Sequence, residues 1–480
     1  MRRLTGIFAA LAVALFLAVS SAASTRAADA VQPSPAEAVR KAIDAPGVAV
    51  VVRTGDVRQE SYSGIDGDGA PVGPDTRFLI GSVSKSFTAA AVLALDTRGA
   101  LALDEPVSRE LSWFPHGDVT VRDLLRHTSG YDAAAGLRHA DLFDNTPGAL
   151  DQAARAAAGE PRAATPGMFS YSDVNYLVLG ALVEQVTGMS FDRAVHDLVL
   201  DPADLRATNL AADDTEPAPG YRRWWTMTRP FDPGFDTSGV PYGYVMSTAP
   251  DLMSWADAQQ EGAHLPAAQR HAMTSEQVST GTDRAGLPTW YGFGWRGGSL
   301  DGHGYVEHTG ANPGYFAHVL WLPDDDIAVT VLANTYSQAG DEVLAEQARN
   351  LARQAVGVEP VNPRRDALLS SAPWIAAGVL AIGLVLLCLT LVRRARPAPA
   401  SRLRAWVGAL LAAATAVGCW VLPSVFGFDS RLLRLWVPDL GWALLLAVVV
   451  YAALAAALLL GASRSGAGED REPVGAGGRP

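Results

Sequence analysis

A serine and a lysine three residues apart, Ser82 and Lys85, are the first candidates for catalysis in this sequence. Residues three apart on a helix share a face, so the two side chains would be neighbours. A serine hydroxyl is a poor nucleophile until a base removes its proton. A lysine can be that base when burial or a neighbouring cation lowers its pKa toward neutrality. The pair therefore predicts nucleophilic catalysis by Ser82 with Lys85 as the base.

The scarcity of lysine makes Lys85 more informative than its spacing from Ser82. Lys and Arg together number 38, and only Lys41 and Lys85 are lysines. Arginine keeps its proton at physiological pH, so it could not replace a lysine base. The alternative interpretation of Lys85 is an ordinary surface lysine in a chain that otherwise uses arginine. We interpret Lys41 in this way.

Tyr171 is the second candidate for proton transfer. A tyrosine beside a serine–lysine pair can relay a proton to the leaving group. Tyr171 directly precedes a predicted helix over residues 174–188, for which Ser172 or Asp173 is a suitable N-cap. A tyrosine packed under a helix start is the structural alternative, and it is the better interpretation of Tyr171 taken alone.

The third element is the segment 307–311, which contains His308 and precedes a predicted strand. A strand edge that contains glycine can lay its backbone beside an extended substrate. The N–H of Ala311, together with free N–H groups at the start of the helix of Ser82, could hold a developing oxyanion. An ordinary histidine at a strand end explains His308 equally well without this context.

The strand and helix patterns predict an α+β domain: an antiparallel sheet flanked by helices, with a second, helical lobe. Short apolar runs between turn residues indicate strands, and the apolar stretch after Ser82 indicates a buried helix. Residues 104–270 have few strand patterns and would form the helical lobe. The predicted strands cover residues 48–52, 58–64, 317–322 and 327–332, and the predicted helices include 82–98 and 340–356.

The three motifs, in this order, resemble those of the serine β-lactamase and penicillin-binding protein superfamily. The most similar branch contains class C β-lactamases, D-alanyl-D-alanine carboxypeptidases and related esterases. The resemblance covers about residues 40–355. It rests on residues 80–88, 171–173 and 308–310, supported by the strings at 124–130 and 291–295.

This resemblance implies acyl transfer. Ser82 would attack a carbonyl to form an acyl-enzyme, and Lys85 and Tyr171 would share the acid–base work. The backbone N–H groups of Ser82 and Ala311 would form the oxyanion hole. The residues that the resemblance assigns to substrate binding are Asp173, His308, Thr309 and Gly310.

Two positions depart from the superfamily's pattern. The second motif often ends in Asn, whereas this chain has Asp173, which lacks the amide donor. The third motif carries His308 in place of lysine, which weakens carboxylate binding at neutral pH. Both changes argue against efficient β-lactam hydrolysis and leave peptidase, esterase and amidase activity open.

Composition narrows the function classes further. The net charge of −12 argues against nucleic acid as a partner. The two cysteines, Cys388 and Cys419, lie in apolar stretches near the C-terminus, so the preceding domain holds no disulfide and no cysteine nucleophile. The nine histidines form no spaced ligand cluster, so we expect no metal and no other cofactor.

The N-terminal residues 1–30 have the pattern of a signal peptide. Arg2 and Arg3 precede an apolar run over residues 7–19, and cleavage could follow Ala23 or Ala30. An uncleaved anchor is the alternative. We expect residues 31–46 to be a linker with a short helix, 47–356 the hydrolase domain and 357–371 a second linker.

Three apolar stretches, at 372–392, 405–425 and 440–460, are each about as long as a membrane span requires. Five arginines lie between the first two stretches, but only Arg431 and Arg434 lie between the last two. The positive-inside rule therefore predicts a multi-pass protein of the cell membrane with its catalytic domain extracytoplasmic. The polar tail at 461–480 would be cytoplasmic. We interpret the arginines between spans as topology signals.

Two functional hypotheses follow from these features. The first is a membrane-anchored serine hydrolase that acts on a peptide, amide or ester, with a D-Ala-containing cell-wall peptide as one candidate substrate. The second is a non-catalytic, penicillin-binding-like sensor that signals through its membrane tail, since a hydrolase needs only one anchor. The sensor would capture its ligand without turnover.

Overall fold

The central sheet joins strands from both ends of the domain that precedes the three apolar C-terminal stretches. The structure is a computed structural model, and it describes residues 33–211, 217–260, 262, 266–394 and 401–464. It contains thirteen strands in these residues, not all of them in the central sheet. The strands are β1 (Gly47–Thr54), β2 (Val57–Gly64), β3 (Phe78–Leu79), β4 (Gly220–Trp224), β5 (Met227–Phe231), β6 (Met246–Ser247), β7 (Val278–Thr282), β8 (Pro288–Tyr291), β9 (Arg296–Leu300), β10 (His303–Asn312), β11 (Tyr315–Leu322), β12 (Ile327–Ala333) and β13 (Thr335–Tyr336).

Eight of these strands form one antiparallel sheet in the order β2-β1-β12-β11-β10-β9-β8-β7. The alternation of side chains along β1 shows why the sheet is buried on both faces. Ala49 and Val51 point into the core shared with the helical lobe, and Val48 and Val50 point into the core on the opposite face. A strand covered on both faces needs a continuous apolar run, which is the pattern of β1.

The helices cover both faces of the sheet and build the second lobe. They are α1 (Pro35–Ile43), α2 (Ser84–Thr97), α3 (Val121–Leu125), α4 (Ala133–Arg138), α5 (Ala149–Ala158), α6 (Asp173–Thr187), α7 (Phe191–Val195), α8 (Ala249–Gln260), α9 (Ala267–Ser275), α10 (Asp341–Ala355), α11 (Ala367–Arg394), α12 (Arg402–Val425), α13 (Ser430–Trp436) and α14 (Pro438–Arg464). Every residue of α2 from Ser84 to Leu95 is buried, so this helix is the centre of the domain.

The α+β class, the antiparallel sheet and the helical lobe agree with the prediction from the sequence. Three features differ in detail. Helix α1 is the short helix predicted within residues 31–46, and its buried face packs on β1 and β2. A second sheet of order β13-β4-β5 lies partly within the region predicted to be helical. The predicted helix at 82–98 is divided into a tight turn over Gly81–Val83 and α2.

Three C-terminal helices, α11, α12 and α14, are long and apolar enough to cross a membrane. They pack mainly on one another, through a seam rich in alanine that includes Ala409, Ala412 and Ala447. Small residues at such a seam let helix backbones approach closely. The short helix α13 connects α12 to α14. The predicted signal peptide and residues 465–480 of the predicted tail lie outside the described residues.

Candidate active site

Ser82 lies in the turn Gly81–Val83, where β3 leads into α2. Its Oγ accepts a hydrogen bond of 3.0 Å from Lys85 Nζ and one of 2.9 Å from the Tyr171 hydroxyl. Lys85 follows one turn later, in the first turn of α2, and Tyr171 comes from the loop that precedes α6. The structure thus brings the three predicted catalytic residues together around one hydroxyl oxygen.

Two glycines let strand β10 lie directly against the turn of Ser82. Gly81 has a φ of +52°, and a Cβ on it would lie 2.2 Å from the backbone nitrogen of Ala311. A Cβ on Gly310 would lie 1.9 Å from the carbonyl oxygen of Ile80 and 2.8 Å from the nitrogen of Ser82. Real Cβ atoms do not approach this closely, so only glycine fits. The two predicted oxyanion donors, the N–H groups of Ser82 and Ala311, both lie in this contact.

Lys85 is completely buried, and its ammonium group has three polar neighbours. Besides Ser82 Oγ, these are the carbonyl oxygen of Tyr242 at 2.8 Å and Asp173 Oδ1 at 2.7 Å. Burial alone would lower the pKa of Lys85, but the charge of Asp173, followed by Tyr171, outweighs burial and raises it. Lys85 is therefore a cation here, whereas the sequence argument required a lysine with a lowered pKa.

Asp173 is the first residue of α6, and the structure places it beside Lys85. Ser172 is the N-cap residue, with an extended backbone, although its side chain makes no capping hydrogen bond. The Asp173 carboxylate is partly open to the cleft, with its side chain 20% exposed. An aspartate in this position supplies a negative charge to Lys85 where an asparagine would supply an amide.

His127 is a site residue that the sequence argument did not single out, although it lies in the string at 124–130. Its Nδ1 accepts a hydrogen bond of 3.2 Å from the N–H of Ser172. Its ring lies 4.4 Å from the ring of Tyr171, centroid to centroid. Burial, followed by the charges of Lys85 and Arg296, holds the pKa of His127 well below its usual value. His127 is thus a neutral support for the loop of Tyr171.

His308 is also buried and neutral. Its Nδ1 lies 2.7 Å from the carbonyl oxygen of Thr309, which assigns the proton to Nδ1, and its Nε2 lies 3.4 Å from the Tyr291 hydroxyl. Burial, followed by the charges of Arg296 and Lys85, holds the pKa of His308 well below its usual value. His308 therefore shapes the wall beside Gly310 and supplies no positive charge at neutral pH.

Arg296, the first residue of β9, is the cation that the sequence argument missed. Its guanidinium lies 5.0 Å from the ring centroid of Tyr171 and 5.8 Å from that of Tyr291. Arg296 is the residue directly after the family-like string at 291–295, so that string does not include it. Because arginine is the cationic side chain that stays charged under physiological conditions, Arg296 gives the site a permanent positive charge.

Within the described part of the chain, one group of three side chains has the geometry to hold a metal ion. It consists of His196, Asp197 and Asp201, whose ligating atoms lie within 4.8 Å of one another. The spacing of the histidines in the sequence predicts no such cluster. His196 is exposed and lies 3.3 Å from Asp201, an ordinary surface ion-pair geometry. The cluster does not include any of the candidate catalytic residues.

An antiparallel sheet joined to a helical lobe, with a serine, a lysine and a tyrosine at the junction, defines the penicillin-binding and serine β-lactamase class of folds. The family model described as Beta-lactamase matches residues 35–354, two thirds of the chain. The protein belongs to this family, as the three sequence motifs indicated.

Three proteins similar to this chain have names that indicate different activities. Penicillin-binding protein 4 of Amycolatopsis lactamdurans is 28% identical over 62% of this chain and 83% of its own length. Esterase EstB of Burkholderia gladioli is 30% identical over 60% of this chain and 85% of its own. A solved D-stereospecific amidohydrolase from Streptomyces sp. is 26% identical, with a TM-score of 0.52, over 62% of this chain and 93% of its own.

Proposed function

We propose that this protein is a membrane-anchored serine hydrolase whose catalytic domain faces away from the cytoplasm. The observation that supports this proposal most directly is that Ser82 Oγ lies within 3.0 Å of both Lys85 Nζ and the Tyr171 hydroxyl. A hydroxyl held between two groups that can exchange protons is the arrangement that acyl-enzyme chemistry requires.

In the proposed mechanism, the reactive form is the one in which the Lys85 ammonium has first lost a proton to solvent. Ser82 Oγ then attacks the substrate carbonyl while its own proton passes to the Lys85–Tyr171 pair. The N–H groups of Ser82 and Ala311 stabilise the oxyanion that forms. The pair then donates the proton to the leaving group, and the bond between the acyl carbon and the leaving group breaks. Water attacks the acyl-enzyme in the second half, returns a proton to Ser82 through the same pair and releases the acid.

We propose a substrate that carries a carboxylate near its scissile bond, such as a peptide ending in a free carboxyl group. The observation that favours it is Arg296, a permanent cation beside the Tyr171 ring, next to the neutral His308. An ester substrate without a carboxylate would not need this charge. Arg296→Gln should therefore raise the KM for a carboxylate-bearing peptide and leave the KM for a neutral ester unchanged.

We also propose that α11, α12 and α14 cross the membrane with the catalytic domain outside. The distribution of arginines between the spans supports this orientation. An independent observation supports the three-span topology, though not its direction: α13, which connects the second and third helices, contacts the catalytic domain. In a three-span topology this connector and the N-terminal domain lie on the same side of the membrane, as their contact requires.

The experiment that tests the proposed function is intact-mass spectrometry of the full chain in detergent. The protein is incubated with a fluorophosphonate and, separately, with a penicillin. Ser82→Ala is the test variant. Ser172→Ala is the matched control, because the Ser172 hydroxyl is buried and forms no hydrogen bond with any of the described residues.

We expect a fluorophosphonate adduct on the wild type and on Ser172→Ala and none on Ser82→Ala. A penicillin adduct in addition would point to a peptidase-like site that accepts β-lactams. An adduct that persists in Ser82→Ala would refute Ser82 as the nucleophile. No adduct with either reagent would favour the sensor hypothesis.

A further inference from the structure

The connector helix α13 packs on the loop that follows α4 in the catalytic domain. The Arg431 guanidinium donates hydrogen bonds of 3.0 Å and 2.5 Å to the carbonyl oxygens of Ala140 and Asp141. Trp436 Nε1 donates a hydrogen bond of 2.7 Å to Asp141 Oδ2, and its ring stacks edge-on against Tyr336 with centroids 5.6 Å apart. Three hydrogen bonds from two side chains of α13 thus converge on residues 140–141.

Asp141 continues the contact into the catalytic domain. It is 3% exposed and has a φ of +54°, a backbone conformation that L residues rarely adopt. Its second carboxylate oxygen accepts a hydrogen bond of 2.7 Å from the Tyr244 hydroxyl, and its N–H donates one of 3.1 Å to the Tyr242 hydroxyl. One buried residue therefore joins α13 to the segment 242–245.

The segment 242–245 in turn supports the catalytic helix. The carbonyl oxygen of Tyr242 accepts the 2.8 Å hydrogen bond from Lys85 Nζ. The N–H of Val245 donates to Ser84 Oγ at 3.1 Å, and its carbonyl oxygen accepts from the N–H of Ile80 at 3.0 Å. The positions of Lys85 and of the turn that holds Ser82 thus depend on this segment.

We propose that α13 is a positioning element of the active site, which acts through Asp141 on the Tyr242 carbonyl that binds Lys85. Trp436, Arg431 and Asp141 are the positioning residues. The inference rests on the proposed function, because it concerns the same Ser82 and Lys85. The C-terminal region would then contribute to catalysis as well as anchor the protein. Arg431 would hold the loop at residues 140–141 in addition to acting as a topology signal.

The physical reason is the state of Asp141 without α13. Its loop would lose three hydrogen bonds, and one oxygen of a buried carboxylate would lose its donor. A buried charged group without its partner is costly, so the loop would move until water reached the carboxylate. Because the N–H and the carboxylate of Asp141 bond the hydroxyls of Tyr242 and Tyr244, that movement would release both tyrosines and displace the acceptor of Lys85.

The test uses the full chain in lipid nanodiscs. Trp436→Phe removes the indole donor and keeps an aromatic ring against Tyr336, and Arg431→Gln removes the other two hydrogen bonds. Trp420→Phe is the matched control, because Trp420 lies on α12 and is 59% exposed. Two quantities are measured: the rate of Ser82 acylation by a fluorophosphonate, and hydrogen exchange of the peptides that cover residues 139–145 and 241–247.

We expect each α13 variant to slow acylation about tenfold, since losing a hydrogen bond in which the donor or the acceptor is charged costs enough for about one power of ten in a rate. For a neutral ester, kcat should fall while KM stays unchanged, because α13 touches no substrate. Exchange should increase in both peptides. The double variant Trp436→Phe with Asp141→Ala should be no slower than the slower single variant, because both changes remove the hydrogen bond between Trp436 and Asp141.

The outcomes separate this inference from the proposed function. Faster exchange with unchanged acylation, or equal slowing by Trp436→Phe and Trp420→Phe, would overturn the positioning role of α13. Unchanged exchange in both α13 variants would overturn the contact itself. If the wild type were not acylated at Ser82, the proposed function would fail and the positioning role with it, while the exchange data would still report on the contact.

Discussion

Replacing Asp173 by Asn should release Lys85 from the charge that keeps it protonated. Asp173 Oδ1 lies 2.7 Å from Lys85 Nζ, and its charge opposes the effect of burial on the pKa of Lys85. Asn has almost the same shape and can still accept a hydrogen bond from the amine, but it carries no charge. In Asp173→Asn, burial should dominate, and the pKa of Lys85 should fall.

The size of the fall follows from the contact distance. An opposite charge in contact typically shifts a pKa by about 1–3 units, which corresponds to about 1.4–4 kcal/mol between the two protonation states. If free Lys85 takes the proton of Ser82, each unit gives about tenfold more free base at neutral pH. A less basic amine accepts a proton less readily, which offsets part of the gain. We therefore expect acylation at neutral pH to be about tenfold faster.

The assay is the rate of Ser82 acylation by a fluorophosphonate as a function of pH. The pH of half-maximal rate should fall by about 1–3 units in Asp173→Asn, in parallel with the pKa of Lys85. Asp192→Asn is the matched control, because it removes a carboxylate from the first turn of α7, another helix start. That variant should keep the pH profile of the wild type.

An unchanged pH profile, or one moved to higher pH, would refute this reasoning. It would mean that the ion pair with Asp173 does not control the protonation of Lys85. If Asp173→Asn were acylated more slowly than the wild type at every pH, with an unchanged melting temperature, the carboxylate itself would take part in the reaction. The melting temperature is needed because a carboxylate at a helix start also stabilises that helix by about 0.3–1 kcal/mol.

Three further predictions concern packing and buried charge. Gly310→Ala should reduce acylation at least about 100-fold, because its Cβ would displace an oxyanion donor, whereas Gly304→Ala on the same strand, with open space around its Cβ, should leave the rate unchanged. Arg349→Met should lower the free energy of unfolding by about 3–5 kcal/mol in a urea titration, because it leaves the buried Glu307 carboxylate without its main cation. The third prediction is that the contribution of Asp141 to the free energy of unfolding decreases as the pH rises from about 4 to about 6. Burial raises the pKa of Asp141 to about 6, so its carboxyl group binds a proton more tightly in the folded chain than in the unfolded chain. The free energy of unfolding should therefore fall by up to about 3 kcal/mol over this range.

Each of these predictions has a result that contradicts it. Equal rates for the Gly310 and Gly304 variants would mean that the contact between β10 and the catalytic turn is not tight. If the double variant Arg349→Met with Glu307→Gln were as unstable as Arg349→Met alone, the unpaired charge of Glu307 would be excluded as the cause of the loss of stability. For Asp141, the check is Asp141→Asn, whose melting temperature should vary less with pH than that of the wild type between those limits.

Local sequence patterns were sufficient to predict much of the fold and the centre of the site. The strands β1, β11 and β12 are continuous apolar runs, so their burial can be read from composition. Ser82, Lys85 and Tyr171 lie in short motifs whose spacing and order carry information. The structure brings these three residues together, as the motifs implied.

The remaining features depend on contacts between distant segments. Strand β4 contains two arginines and pairs with β13, more than a hundred residues away, so no local apolar pattern marks it. Asp173 could be identified as a departure from the family's pattern, but its ion pair with Lys85 required the distance between them. The sequence alone indicates only a topology signal for Arg431, because its partners at residues 140–141 are almost three hundred positions earlier.

The balance of charge in the cleft bears most directly on the substrate. Lys85 and Asp173 cancel each other as an ion pair, and His127 and His308 are both neutral because burial lowers their pKa. Arg296 is left as the uncompensated charge among these site residues, although the chain as a whole carries −12. The loss of a lysine in the third motif is thus offset by a guanidinium on the neighbouring strand. Because arginine side chains are cations throughout the neutral pH range, the KM for a carboxylate-bearing substrate should be constant there, whereas recognition by a histidine would weaken as the pH rises.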